Sequence, residues 1–570
     1  MTRLRDIWHR FLSAPAEKDR HPFAAIFPLP AWSFRIITWV ALAVPFIVYW
    51  WNIIRYAPNT PFQDDFQIVL ETVNRFLDAH GMVAKLKIIY ERHNDHRLLV
   101  GKLAAIAQYG LLGHINFRLL MILGSLGWTS ALLLLLTRAK RDLGLNLPFL
   151  VPLPYIWFSF VQEFTLFFAE ASFQHLCTMF LSLLVLALLA RERTGWATAV
   201  AMLAICTSGA ARLLAPLGSV LLVFRRRWKA LLIFVAATGA AALFVHVSPG
   251  EVLYCPSARD ALANFEQMVA FALRVNGSLV RTPEVEIPLG VLCSVGLLYY
   301  VIRRNDARFF RYAAAFVFAS MGTLALARGP FAEIPIASRY TIYSLLAWVV
   351  LYVFIISGER CKPHGAFVLL TAWLAAGIYF GGLAIKIDLN QTFARNHAAR
   401  IACLASFVPG QTTAGLSLIH PSPSQSEQIL VKSRDMGVFD YAKANRLLNA
   451  TPVRVEDLAA NREFRGFVDG YDGQHINGWA LVADVRSSDA RIYTLLEDRG
   501  WAYRIPSFPV KRSDVSQVAG TAFGYDWSGF ESFFAAYDIP TGNYRVGILV
   551  EVPGGAAMTW TGRQYKVGTQ

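Results

Sequence analysis

Ile115-Asn-Phe-Arg-Leu-Leu-Met-Ile-Leu-Gly-Ser-Leu-Gly-Trp-Thr-Ser-Ala-Leu-Leu-Leu-Leu-Leu-Thr137, followed at once by Arg138-Ala-Lys140-Arg141, is the stretch that decides the fold. It is longer than the ~20 apolar residues that carry a helix across a bilayer, and it stops on a basic cluster, as a span does on its cytoplasmic side. The rest of the chain repeats that text. Of 570 residues, 55% are hydrophobic and only 16% charged, against roughly 25% charged in a soluble domain. A soluble enzyme, a disordered chain and a disulfide-rich secreted domain are therefore excluded. The net charge of +15 sits at the ends of apolar runs, so it reports topology and not a nucleic-acid partner.

Working outward, the apolar runs are Ile36–Tyr56, Ile115–Thr137, Leu147–Gln162, Ser172–Ala190, Trp196–Thr207, Leu213–Phe224, Ala230–Val247, Ile287–Ile302, Tyr312–Leu326, Tyr340–Ser357 and Ala366–Ile385. The basic segment 1–35 that precedes them has no small-residue cleavage site, so it reads as cytoplasmic and not as a removable signal. Basic clusters at Arg138–Arg141, Arg191–Arg193, Arg225–Lys229, Arg303–Arg304 and Glu359–Lys362 fall at every second helix end. Placing all five in the cytoplasm gives eleven spans, with the N-terminus inside and the C-terminus outside. Leu98–Leu112 reads as a helix lying along the membrane, because a crossing there would put Arg138–Arg141 outside.

The division is a cytoplasmic segment 1–35, a transmembrane domain 36–388 with a first outer loop 57–114, a mixed, partly helical segment 389–463 and a tail 464–570. From Arg465 the text alternates Val, Ile, Tyr and Phe between Gly, Asp and Pro, as in Asn543-Tyr-Arg-Val-Gly-Ile-Leu-Val-Glu551; this predicts a β-sandwich. No internal repeat or low-complexity tract is present. Of six cysteines, only Cys255 and Cys403 fall on the outer side, where a disulfide is chemically allowed; no cysteine has a metal-ligand spacing.

With this topology the polar residues sort by side. The first outer loop holds Gln63-Asp64-Asp65-Phe66 and then Glu91-Arg92-His93-Asn94-Asp95-His96-Arg97. Other outer helix ends carry Glu163, Glu170, Gln174 and His175; Arg212; Arg281 and Glu284; and Arg328, Glu333, Arg339 and Tyr340. Ionisable groups at the ends of membrane helices are costly to dehydrate and mark sites, so a cavity at the outer face is expected. A carboxylate there can serve as general base toward a hydroxyl, and arginines can clamp a phosphate. That pairing suits transfer of a sugar from a lipid-phosphate donor, whose tail stays in the bilayer while the acceptor arrives from water.

Asp64-Asp65-Phe66, followed by Asn94-Asp95-His96-Arg97, resembles the multispanning GT-C glycosyltransferases, most closely bacterial members in which Asp-Asp-Phe precedes an Asn-x-His-Arg element. Phe173-Gln174-His175 and Ser338-Arg339-Tyr340 look like further elements of that group. The resemblance covers about residues 36–385. It implies a polytopic α-helical membrane protein of the bacterial inner membrane with its tail in the periplasm. It also implies a polyprenyl-phosphate-sugar donor, a cell-envelope glycan acceptor, and a catalytic base from the acidic pair. The tail resembles β domains appended to bacterial glycosyltransferases, through Gly470-Tyr-Asp-Gly473, Gly478-Trp-Ala480, Arg512-Ser-Asp-Val515 and Gly529-Phe530.

Each sharp reading has a plainer rival. Asp64 and Asp65 serve as base, with Asp95 in reserve, or they are a solvated helix cap. His93 and His96 hydrogen-bond, touch the donor phosphate together with Arg97, or hold a divalent cation with Asp64, Asp65 or Glu91; no metal site or cofactor is assigned. Arg339, then Arg212, then Arg328 are the phosphate candidates, against arginine snorkelling to the interface. Glu163, Glu170 and His175 line the acceptor pocket or pair with these arginines. In the tail, Trp479, Trp501, Tyr503 and Trp527 form a sugar platform, though Trp479 reads more simply as core. At the level of the whole protein the rivals are an O-antigen polymerase or ligase, and a transporter or flippase of lipid-linked sugars. The former usually places its key residues in a later loop, and the latter should show mid-membrane polar residues or repeated halves. A scaffold that merely holds the tail outside would need only one span.

Overall fold

The computed structural model describes residues 31–567 apart from 94–96, 248–262, 281, 304–306, 330–336, 358–364, 386, 411–413, 459 and 520–523. It divides into two compact units: a helical one, which includes Gln67–Ile385 and the chain up to Ala57, and a second one made of Pro58–Phe66 together with the chain from residue 387 onward.

Among the described residues of the helical unit, eight helices are long and apolar enough to cross a membrane: Trp32–Tyr56, Phe117–Leu143, Leu147–Leu166, Ala169–Ala190, Trp228–His246, Pro283–Arg303, Arg308–Arg328 and Ser338–Ile356. This is the build of a multi-pass membrane protein. The eight correspond to eight of the apolar runs. Two further runs form shorter helices, Thr194–Ile205 and Gly209–Phe224. At 1.5 Å per residue the 12 residues of the first rise about 18 Å, short of ~30 Å of hydrocarbon. The break between them is local. Thr207 Oγ turns back to the Leu203 carbonyl at 2.8 Å, and Ser208 is extended (φ −141°, ψ 143°). The helix Gly365–Ile385 has 21 residues, of which Leu370–Phe380 is its described apolar part. The stretch read as lying along the membrane is helix α1 (Leu99–Leu112), of 14 residues.

Two features lock the helical unit. Trp128, on helix α2 (Phe117–Leu143), stacks on Trp157 with ring centroids 3.8 Å apart. Each indole N–H donates to the other residue's carbonyl, at 3.1 and 3.0 Å, so two bulky polar-edged rings are buried with their donors satisfied. On the same helix, a Cβ at Gly127 would stand 2.7 Å from Cys177 Cα. The absence of a side chain there admits the segment Ser172–Cys177 at backbone distance, as small residues do in membrane helix packing.

Among its described residues the second unit carries helix α3 (Ile387–Ala405), helix α4 (Pro423–Asp435) and eleven strands. These are β1 (Leu448–Asn449), β2 (Thr451–Arg454), β3 (Phe464–Tyr471), β4 (His475–Val482), β5 (Arg491–Asp498), β6 (Trp501–Pro506), β7 (Phe508–Val510), β8 (Gly529–Phe533), β9 (Tyr537–Asp538), β10 (Gly542–Val552) and β11 (Gly555–Val567). They form a five-stranded sheet in the order β11-β10-β5-β6-β2, a four-stranded sheet β3-β4-β8-β7, and a short ladder β1-β9. Ile476, Val482, Phe530 and Phe533 of the smaller sheet share one core with Leu496, Ile505, Val546, Ile548 and Val550 of the larger, and Ala398, Ile401 and Ala402 of α3 join it.

The tail's sequence elements acquire packing reasons here. A Cβ at Gly478 would stand 2.1 Å from the Phe467 carbonyl oxygen, and one at Gly529 2.5 Å from that of Val510. Arg512 pairs with Asp469 of β3 and with Asp514 at 2.7 Å, tying the turn after β7 to the sheet. Trp479 corrects the core reading. Ile476, Gly478 and Ala480 alternate inward as buried residues, so Trp479 takes the opposite face and is half-buried. The proposed platform is also divided, because Trp479 belongs to the four-stranded sheet while Trp501 and Tyr503 belong to the five-stranded one.

Candidate functional site

The acidic pair sits in the second unit. The chain enters it at Pro58, and Asn59 locks onto Asn445: Asn59 N–H donates to Asn445 Oδ1 at 2.7 Å, and Asn445 Nδ2 donates back to the Asn59 carbonyl at 3.0 Å. Gln63 N–H donates to the Ile419 carbonyl at 2.6 Å, and Phe66 packs against His420 with ring centroids 5.0 Å apart. Gln63 has φ +47°, a left-handed backbone that a non-glycine residue holds only when its surroundings over-determine it. Immediately beyond the acidic pair the helix runs as π-helix over Phe66–Glu71, a form that clusters at functional sites.

The two carboxylates have different environments. Asp65 is fully buried and accepts a hydrogen bond from Phe62 N–H at 3.1 Å. Arg400 of α3, only 8% exposed, lays its guanidinium over the Phe62 ring at 3.9 Å. Burial pushes Arg400 down to about 10, and the neighbouring charge of Asp65 opposes that fall. Asp64 is only half-buried. The solvated-cap reading therefore does not describe Asp65, and Asp64 is the carboxylate with access to water. Arg400 was not singled out in the sequence; its signal there is a lone cation in the alanine-rich run Ala398-Ala-Arg-Ile-Ala402.

The remaining candidates belong to the helical unit. Asp95 and His96 lie outside the described residues, and His93 is half-buried. Arg97 is 1% exposed. Its two terminal nitrogens donate to the carbonyls of Tyr90 and Phe244, and its guanidinium lies 4.3 Å from the Phe244 ring centroid. Burial pushes Arg97 below its ordinary value, and the charges of Arg92 and Arg212 push the same way, so three arginines share one electrostatic neighbourhood. Leu98 follows with φ +54°, the second left-handed non-glycine residue beside a motif. Lys102 of α1, also missed in the sequence, is buried and donates to the Glu91 carbonyl at 2.7 Å. Burial brings it down to about 8, against the pull of Glu91.

The other residues ride on interrupted helix ends that pack together. The one-turn helix Glu163–Leu166 packs against the 3-10 turn Ser338–Tyr340 and against the segments Ala169–Ala171 and Ser172–Cys177. This brings the elements of Glu163, Glu170, His175, Arg339 and Tyr340 together. Glu170 is buried, Glu163, His175 and Tyr340 half-buried, and Arg339 exposed with its guanidinium 5.1 Å from the Tyr340 ring. Ser172–Cys177 is π-helical, like the segment after Asp65, and also packs against α1. Arg212 lies on the turn Gly209–Leu213, which packs against the helix ending at Arg328. Arg212 is among the charges that act on Arg97. Arg281 and Glu333 lie outside the described residues.

Among the described residues, no three His, Cys, Asp or Glu side chains converge as metal ligands. Cys403 is a buried thiol donating to the Gly415 carbonyl at 2.9 Å; Cys255 lies outside the described residues. Trp501 of β6 lines a cavity of about 610 Å³ with Arg454, Arg504, Leu549 and Glu551. Family models, curated proteins and solved structures give no match to this chain. Its function has to be read from its own residues.

Proposed function

We propose that this protein is an inverting glycosyltransferase that moves a monosaccharide from a polyprenyl-phosphate carrier to a cell-envelope glycan on the periplasmic face of a bacterial inner membrane. The observation that supports the reading is the packing together of the interrupted helix ends that carry Glu163, Glu170, His175, Arg339 and Tyr340, in a unit with apolar helices of membrane-spanning length. Ionisable groups at the ends of membrane helices are costly to dehydrate and mark a polar site. A ligand that combines a polar phosphate-sugar head with a long hydrocarbon tail suits both the polar helix ends and the apolar helices.

In this reaction Asp64 takes the proton of an acceptor hydroxyl. The oxygen bonds to the anomeric carbon from the face opposite the leaving group, and the bond from that carbon to the phosphate oxygen breaks. Polyprenyl phosphate departs with the electron pair, and cationic side chains that hold the phosphate stabilise its added charge. Glu163, Glu170 and His175 line the acceptor side. A multi-pass topology with a cytoplasmic N-terminus and a periplasmic C-terminal β-sandwich completes the reading; its support is the alternation of the five basic clusters along the sequence.

The interrupted helix ends favour one rival, a transporter of lipid-linked sugars, since transporters bind substrate at broken helices. Proteoliposomes holding the protein, radiolabelled polyprenyl-phosphate hexose or pentose, and envelope glycan separate the two. Glycosyl transfer predicts loss of one donor and a labelled glycan of inverted anomeric configuration. Donor that crosses the bilayer chemically unchanged would install the transporter instead.

A further inference from the structure

The acidic segment 58–66 is fastened at four points to a part of the chain that follows it by more than three hundred residues. Asn59 is locked to Asn445, Gln63 to the Ile419 carbonyl, Phe66 to the His420 ring, and Phe62 to the guanidinium of Arg400. The first three are peripheral contacts of a kind many loops make. The fourth differs because Phe62 links two buried charges: its ring lies under the Arg400 guanidinium and its amide donates to Asp65. Only a flat guanidinium can stack on a ring in this way.

Arg400 is itself held from behind. Ala398, Ile401 and Ala402 of α3 are part of the β core; the ion pair of Arg395 on the same helix with Glu531 of β8, at 3.8 Å and part-exposed, adds little. Between the clamp and Asp64 stands Gln63 with its left-handed backbone, a conformation that relaxes once its surroundings let go.

We propose that Arg400 is a positioning residue: with Phe62 and Asp65 it fixes the backbone that presents Asp64, and it makes the β-rich region a structural part of the acidic site. The catalytic half of this statement rests on the glycosyltransferase reading; the structural half does not. Segment 387–445 is then a mounting for the acidic loop and not a linker.

The test is hydrogen–deuterium exchange by mass spectrometry on the full-length protein in nanodiscs, beside the donor-consumption assay, for wild type, Arg400→Met, Arg400→Lys and the control Arg395→Gln. In Arg400→Met, amides of 58–66 exchange about tenfold faster or more while β10 and β11 stay protected. Turnover falls about a hundredfold with the donor KM nearly unchanged, as loss of orientation requires. Arg400→Lys, which keeps charge without the flat stack, lies between; Arg395→Gln matches wild type. Unaltered protection of 58–66 together with unaltered kcat in Arg400→Met overturns the proposal. Should β10 and β11 open as well, the double variant Asp65→Asn/Arg400→Met removes both buried charges. Protected sheets with an open 58–66 then support the clamp, and a protected 58–66 overturns it. If 58–66 opens but wild type consumes no donor, the glycosyltransferase reading falls and the clamp stands.

Discussion

Arg97 and Arg400 are both almost fully buried arginines lying over a phenylalanine ring, yet they are set in opposite surroundings. Arg400 stacks on Phe62, whose amide donates to the buried carboxylate of Asp65, and the charge of Asp65 acts on it. Arg97 meets two backbone carbonyls and stands near two more arginines. A buried cation with a buried carboxylate nearby is a structural joint, strongly destabilising to break and poorly placed to recruit a ligand. In our reading Arg97, which follows the Asn94-Asp95-His96 element in the sequence and donates to two backbone carbonyls, is placed to meet an anion. The same residue type thus serves fixation in one unit and, in our reading, recruitment in the other.

The comparison breaks most sharply if either unit's architecture is only a passive scaffold. Gly127→Leu forces a side chain into the Cys177 backbone; overpacking of this kind costs about 1–3 kcal/mol or more. The helical unit should lose stability in a thermal-shift assay, and turnover should fall with it because Ser172–Cys177 carries His175. An unchanged melting transition would mean that the close approach is dispensable. Arg97→Met should lower kcat/KM for the phosphate donor by about a hundredfold, the size of a lost charge-assisted contact. Arg212→Gln, from a half-buried position, should cost about tenfold and leave melting unchanged. If Arg97→Met merely unfolds the protein while Arg212→Gln is silent, Arg97 is a joint like Arg400 and the contrast disappears.

The smallest effect concerns acid. Hydrogen bonding from Arg512 holds the Asp514 carboxyl below its ordinary value, so its contribution is present above the unfolded carboxyl range and is lost as pH falls through the lowered folded value. The second unit should therefore become less stable toward acid, and Asp514→Asn should flatten that slope slightly in melts between pH 5 and 2. A slope unchanged by the substitution would assign the acid response to other carboxylates.

The sequence made the apolar helices and most of the strands legible, because both are periodic and local. Eight apolar runs became long helices, and β3 to β11 lie in the tail read as β, whereas β1 and β2 begin earlier, within the segment read as mixed and partly helical. What stayed hidden depends on distant partners. Phe62 and Arg400 meet across most of the chain, with Asp65 bound to the Phe62 amide, and nothing near either marks the pairing. The shortness of Thr194–Ile205 is set by the fold at Ser208, which hydropathy does not see. The outward turn of Trp479 followed from giving the indole more weight than the small residues Gly478 and Ala480, which take the inward positions. In the candidate site the elements of Glu163, Glu170, His175, Arg339 and Tyr340 do come together, and Arg212 is among the charges that act on Arg97, but the acidic pair packs into the second unit.

The central claim is that the adjacent carboxylates divide their labour, Asp64 as base and Asp65 as joint. The most direct test compares Asp64→Asn with Asp65→Asn in the donor-consumption assay, with melting recorded on the same preparations. The account predicts that Asp64→Asn loses about a thousandfold in kcat with unchanged melting. It predicts that Asp65→Asn loses stability, about 3–5 kcal/mol for a broken buried pair, with activity following the folded fraction. Wild-type turnover in Asp64→Asn would contradict it.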